Sequence, residues 1–337
     1  MHFFSQRTNT ILLVLALVAL LLAPLVAYPV FLIKLMCYAL LAASVNLLMG
    51  YAGLLSFGHA MFFGTAGYAA AHAIKVWGWD GSAAILLAML CAMAVAVVTG
   101  LLAIRRHGIY FSMITLAFSQ VIYFFALRLP FTGGEDGIQN VPRPEVFGFI
   151  SLADNTTLYY FAATLVAAAF WLIYRIVYSP FGQVLRAIRD SEARAQSLGY
   201  QVLRYKLVIF VLSAALAGLA GALKVITFQL ATLNDVNWTT SGEALLICIV
   251  GGLQTLLGPV IGAAIIVSMQ NYLVAMAEWV LIIQGLVFVV VVMLFRKGII
   301  GQLYAWLETR QARQAAPQLE AHNQAERQSR SQTGQGA

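Results

Sequence analysis

His59, set in LLSFGHAMFF at residues 54–63, is the best-placed titratable side chain within a long apolar stretch. An ionisable group at membrane depth is costly, so it is a functional candidate by default. Three roles fit it. The favoured one is a hydrogen bond to a neighbouring helix that holds the glycine-rich stretch together; the others are lining a solute path and relaying protons. Glu243 opens a short apolar segment, where a carboxylate suits either a helix start or a solute path. Asn46, Ser56, Thr65 and Ser241 are polar and uncharged, with helix-to-helix hydrogen bonding favoured over path lining.

Other chemistry is sparse. Glu135 and Asp136 are adjacent on a Gly-rich stretch, TGGEDGI, which reads as a solvated turn rather than an acid/base pair. Cys37, Cys91 and Cys248 are isolated in apolar runs, without metal or disulfide spacing. No GxxxxGK[ST], HExxH or GxSxG occurs, so the chain is not read as an enzyme, and no catalytic, cofactor or metal residues are assigned. Work done by such a chain draws on a partner or on an ion gradient. One histidine and no mid-span carboxylate argue against the gradient.

The elements that must position these residues are membrane spans. Of 337 residues, 61% are hydrophobic and only 10% charged, against roughly a quarter charged in a soluble globule. Charge-free runs at 11–33, 83–104, 109–127, 158–174, 207–223 and 279–295 approach the ~20 residues that cross a bilayer. Longer runs at 35–74 and 244–277 each read as two segments, broken near Gly50 and Gly53 and near Gly258-Pro259. The fold class expected is all-α and polytopic, with about ten transmembrane or re-entrant helices; 243–257 is the re-entrant candidate. Alternating these spans puts fifteen of the twenty basic residues on one side, the inside, together with both termini. The net charge of +7 is then a topology signal, with lipid rather than nucleic acid as the neighbour. Residues 1–304 form the membrane domain, with an ordered outer loop at 128–157. Residues 305–337, poor in large apolar side chains, read as a disordered inside tail.

One inside segment stands out. SPFGQVLRAIRDSEARAQSLGYQVLRYK, residues 179–206, holds five basic and two acidic residues between apolar runs. Ser179 suits an N-cap and Pro180 the first helical position. Phe181, Leu185, Ile188, Ala195 and Leu198 make one apolar face, with Arg186, Arg189, Asp190 and Arg194 opposite. Gly199 fits the position past the C-terminus. The spacing predicts a single helix of about five turns over 179–199. It is suited to lying in the headgroup layer or to docking into a groove on a partner.

This segment resembles the cytoplasmic loop of ABC-importer permeases, and SPFGQVLRAIRDSEARAQSLGYQVLRYKLVIFVLSAALAGLAGAL resembles the LivM type of branched-chain amino-acid permease. NLLMGYAGLLSFGHAMFFGTAGYAAA (46–71), GIYFSMITLAFSQV with TGGEDGI (108–121, 132–138) and SGEALLICIVGGLQTLLGPVIGA (241–263) resemble the same family, in the same order. The common Glu-Ala-Ala-x-x-x-Gly pattern of the loop is reduced to Ala195 and Gly199. The resemblance implies a permease subunit of an ATP-powered importer in a bacterial inner membrane. It would form an alternating-access path with a second permease, for branched-chain amino acids or related small polar solutes. Two cytoplasmic subunits would bind ATP and Mg, and an extracytoplasmic protein would deliver solute. The alternative is a self-sufficient secondary transporter or channel. Coupling to the ATPase would fall to Phe181, Leu185, Arg186, Ile188, Arg189, Ala195, Leu198 and Gly199. Helix breaks that allow movement would sit at Gly50, Gly53, Gly58, Gly251, Gly252, Gly258 and Gly262. On this reading Leu185→Asp or Ile188→Asp uncouples ATP hydrolysis from uptake while membrane insertion persists.

Overall fold

The computed structural model describes residues 23–25, 27–273, 279–294, 298 and 301–302. The first half of the span expected at 11–33 and the tail expected at 305–337 lie outside the described residues. Helix α1 is Pro29–Asn46, α2 His59–Lys75, α3 Gly81–Ala103, α4 Ile109–Arg128 and α5 Asn155–Val177. Two short helices follow, α6 Pro180–Asp190 and α7 Glu192–Ser197. The last four are α8 Val202–Phe228, α9 Trp238–Gly251, α10 Gly258–Tyr272 and α11 Val280–Leu294. A two-stranded hairpin, β1 Glu145–Val146 with β2 Ile150–Ser151, lies between α4 and α5.

The chain is an all-α, polytopic membrane protein. Among the described residues, five helices are long and apolar enough to cross a bilayer: α1 extended to Tyr51, α3, α4, α5 and α8. The ends of α3, α4 and α5 follow the charge-free runs closely. One expected boundary is wrong. Lys34, read as the gap between two spans, lies inside α1, because a lysine in the second turn of a helix can reach the interface along its own stem.

The bundle has two polar faces. The basic face holds Arg105 and Arg106 after α3 and the α6–α7 segment; the hairpin face holds residues 129–154. On the hairpin face Asp80 accepts hydrogen bonds from the Ser82 hydroxyl and from Phe147 N, the latter at 3.0 Å. The Ser82 bond, then the backbone donors, hold the Asp80 carboxyl below its ordinary range. Lys75 Nζ donates to Gln139 O at 2.7 Å, and Ile138 pairs with Ala231. These ties order the loop between α4 and α5.

Helices α1, α2, α3 and α8 form the centre. In lipid, large apolar side chains gain nothing by facing inward, so close backbone approach supplies the cohesion. Helix α3 shows the result: Ala84, Ala88, Ala92 and Ala96, every fourth residue, are fully buried, while Leu86, Leu90, Val98 and Leu101 face outward. The stripe expected on α8, Ala214, Gly218 and Ala222, is buried as well. A Cβ on Gly218 would lie 2.8 Å from Ala92 Cβ. Among these central helices the tightest glycine approach is at Gly221, where a Cβ would lie 2.0 Å from the Phe63 carbonyl oxygen of α2.

The segment expected as one five-turn helix is two. Ser191 adopts extended backbone angles (φ −162°, ψ 103°), ends α6 and caps α7 by accepting from Arg194 N. A serine followed by a first-turn glutamate is itself a helix start, and here that signal outweighs the continuing apolar period. Leu185 joins the main core, and Ile188, Ala195 and Val202 make a small core of their own. Phe181 stacks on Tyr205. Leu198 departs from the expected face and is 71% exposed.

Gly221→Val is expected to lower thermal stability in detergent by roughly 1–3 kcal/mol or more, as overpacking does. An unchanged melting temperature would show that α2 and α8 do not meet backbone to backbone.

Candidate functional site

Two interruptions of regular helix define the site. Helix α1 ends in a π-helical turn, Leu47–Tyr51, a form that often marks functional positions. The chain then turns at Gly53 (φ +72°) and runs without regular structure to Gly58, which precedes α2. The second interruption lies between Gly251, the end of α9, and Gly258, the start of α10. Helices of 14 and 15 residues are about 21–23 Å long, short of the ~30 Å hydrocarbon core. They form a tight hairpin: a Cβ on Gly251 would lie 1.9 Å from Gly258 O, and one on Gly262 2.0 Å from Ile247 O.

Peptide groups that leave regular helix need other partners, and side chains provide them. Ser112 Oγ donates to Leu55 O at 2.7 Å, and Phe57 N donates to Thr115 Oγ1 at 3.3 Å. Gly58 N donates to Ser56 Oγ, and Ala60 N to Ser241 Oγ at 2.7 Å. Ser56 and Ser241 thus cap the start of α2. Thr65 donates to Met61 O within its own helix.

Asn46 clips the two interruptions together. Its Nδ2 donates to Thr255 O at 2.8 Å, and its Oδ1 accepts from Gln254 N at 3.0 Å. Tyr51 adds a hydrogen bond from its hydroxyl to Gln254 O at 2.9 Å. Gly50 is required for this approach, since a Cβ would lie 2.6 Å from Asn46 Oδ1 and 3.0 Å from Gln254 N. Gly252 (φ +117°) and Gln254 (φ +64°) carry the turn between α9 and α10.

Helix α6 joins the same place. Arg186 and Arg189, expected on the solvent side, are half-buried and point to the bundle. Arg189 Nη1 donates to Gly50 O at 2.8 Å, and its other nitrogens pair with Asp190. Arg186 donates to Val177 O at 3.0 Å and sits over the Tyr51 and Tyr178 rings. The reason is electrostatic. Orphan carbonyls at the ends of α1 and α5 attract cations, and positions three apart share one helix face.

His59 lies deeper. Its Nε2 is 2.8 Å from Ser213 Oγ, and Ser213 Oγ donates to Ser44 O at 2.7 Å. Ser213 has therefore already donated its proton, and His59 Nε2 is the donor to it. A serine beside a histidine otherwise resembles a nucleophile with its base; the direction of these bonds makes it a structural bridge between α2, α8 and α1. Glu243 lies apart from this group, bonded to Gln270 across the α9–α10 hairpin. Lys224 pairs with Asp235 at 2.6 Å.

The family described as "Branched-chain amino acid transport system / permease component" matches residues 27–292. The chain belongs to that family. Over 74% of its length it is 26% identical to the high-affinity branched-chain amino acid transport system permease protein LivM of Escherichia coli (strain K12), and equally to that of Salmonella typhimurium. It spans 64% of the length of those two relatives. It is also 24% identical, over 60% of the chain and 69% of the relative, to the probable branched-chain amino acid transport permease protein LivM of Methanocaldococcus jannaschii. No solved structure matches it.

Within this permease-family chain, Asn46, Gly50, Gly53, Gly251, Gly252, Arg186 and Arg189 converge at the basic face. Ser56, Gly58, His59 and Ser241 gather deeper, around the start of α2. Leu198 and Gly199 sit at an exposed tip. Sequence reasoning missed Ser112 and Thr115, whose spacing of three in GIYFSMITLAFSQV was the available signal. A charge-assisted hydrogen bond is worth about 1.5–3 kcal/mol. Arg189→Ala is therefore expected to speed hydrogen exchange of the amides around residues 50–58 by about ten-fold or more, and Arg189→Lys by less. Unchanged exchange in the alanine variant would show that the Gly50 bond does not hold the turn.

Proposed function

We propose that the chain is the membrane-spanning permease subunit of an ATP-powered importer in a bacterial inner membrane, with both termini cytoplasmic. With a second permease it forms the alternating-access path for branched-chain amino acids or related small polar solutes. Two cytoplasmic subunits bind ATP and Mg and supply the energy; an extracytoplasmic binding protein delivers the solute. The observation that carries this reading is the junction of α6 with both helix interruptions. A partner pressing on the α6–α7 segment acts on Gly50 through Arg189, and on residues 254–255 through Tyr51 and Asn46. Those are the places where the backbone is least bound into regular helix.

Contact with the ATPase falls to the outward side of the segment: Gln183, Ala187, Arg194 and Leu198 are exposed. Leu185 and Ile188 are 1% and 3% exposed against the chain's own core. An aspartate at either position would bury a charge and unsettle the segment itself, so these variants do not test docking as first expected.

The assembled complex in vesicles should take up labelled leucine, valine or urea only with ATP, and this chain alone should take up none. Uphill uptake by the chain alone would overturn the reading. Ala187→Trp with Leu198→Asp should cut ATP-driven uptake at least about ten-fold with insertion and melting temperature unchanged; wild-type uptake by that variant would remove the docked segment from the mechanism.

A further inference from the structure

Serine and threonine in a membrane helix ordinarily satisfy themselves by donating to a carbonyl one turn back. Ser44, Thr65, Thr99, Thr164 and Thr227 all do so in this bundle. Ser119 of α4 does not. It is fully buried, and its hydroxyl has no partner. Tyr68 of α2, 3% exposed, also has a buried hydroxyl without a partner. A buried hydroxyl left unbonded is costly in an apolar setting and marks a place where water or a ligand completes the bonding.

These two groups lie on the same seam. Ser112, Thr115 and Ser119 recur at three and four residues, so they share one face of α4. Ser112 and Thr115 hold the irregular segment leading into α2 at Leu55 and Phe57. Gly58, at the start of α2, lies against Thr115: a Cβ there would be 3.0 Å from the Thr115 carbonyl oxygen. Helix α2 then runs alongside α4 towards the hairpin face, carrying Tyr68 to the neighbourhood of Asp235, itself paired with Lys224, and of Tyr123. At the other end the seam opens into a cleft of about 200 Å3, lined by Gly53, Leu54 and Leu55 on one side and by Ile109, Phe111 and Ser112 on the other. No Asp, Glu, Lys or Arg occurs in residues 52–74 or 109–127, which form the two walls. The rest of α4 presents Ile109, Met113, Val121, Phe124 and Phe125 outward.

We propose that the α2–α4 seam is this chain's wall of the solute path, hydrated along Ser112, Thr115, Ser119 and Tyr68 and opening at the 53–55/109–112 cleft. This assignment rests on the importer reading and adds to it the wall along which the solute would pass. The hydroxyls supply weak, exchangeable bonds, so a solute is not trapped between one level and the next.

The test uses Ser119→Cys, a near-isosteric change, in the assembled complex with Cys91 replaced by alanine. The remaining native cysteines, Cys37 and Cys248, are fully buried and serve as the dry reference. The probe is a small hydrophilic methanethiosulfonate reagent. The expected result is modification of Ser119→Cys at least about ten-fold faster than of Cys37, with loss of ATP-driven uptake once it is modified. Tyr68→Phe should lower uptake kcat/KM about five-fold, the effect of one neutral hydrogen bond, with ATP hydrolysis unchanged. A Ser119→Cys complex as unreactive as Cys37, or one that transports at full rate after modification, overturns the seam. In either case uptake by the unmodified complex continues, so the importer reading stands; if the wild-type complex transports nothing with ATP, it is that reading that falls.

Discussion

A peptide group that leaves regular helix inside a packed bundle must find a partner elsewhere in the protein. Much of this architecture answers that single constraint at two places, residues 52–58 and 252–257. Each leaves a run of N–H and C=O groups outside helical bonding. The molecule closes them with side chains from other helices: Ser112 and Thr115 for the first, Asn46 and Tyr51 for the second. Because the clips come from elsewhere in the bundle, the interruptions are coupled to the helices that clip them. A helix that kept all its own hydrogen bonds would have no such dependence on its neighbours.

The two arginines of α6 extend the same logic to the surface. Their guanidinium groups replace water at the carbonyl ends of α1 and α5 while their stems stay packed. A lysine would supply charge without the planar fork that allows Arg189 to hold Gly50 O and Asp190 together. The α6–α7 segment is consequently part of the bundle's bonding.

The bilayer-crossing elements were legible because exclusion of charge over about twenty residues leaves little choice. Helices α3, α4, α5 and α8 all follow from it to within a few residues. The interruptions were legible from their glycines, and Gly50, Gly53, Gly251 and Gly258 fall at them. Roles were harder to read. Whether Arg189 faces solvent or a carbonyl depends on where α1 ends in space, which the amphipathic period of α6 cannot report. Ser191 was hidden inside a period that continues past it, and Lys34 looked like a boundary because a charge near an interface is compatible with either side of one. Among the small residues of α8, the stripe through Gly218 was visible; the decisive contact at Gly221 depends on the carbonyl of a residue 158 positions away in sequence.

That contact has a mechanical consequence. Between Gly221 and Phe63 there is no layer of side chains to compress or change rotamer, so main chain rests on main chain. Sliding α2 along α8 would drive an oxygen into the opposing backbone at once. The two helices behave as one stiff strut, and any rearrangement of the bundle must be borne by parts that meet through replaceable bonds rather than through bare backbone.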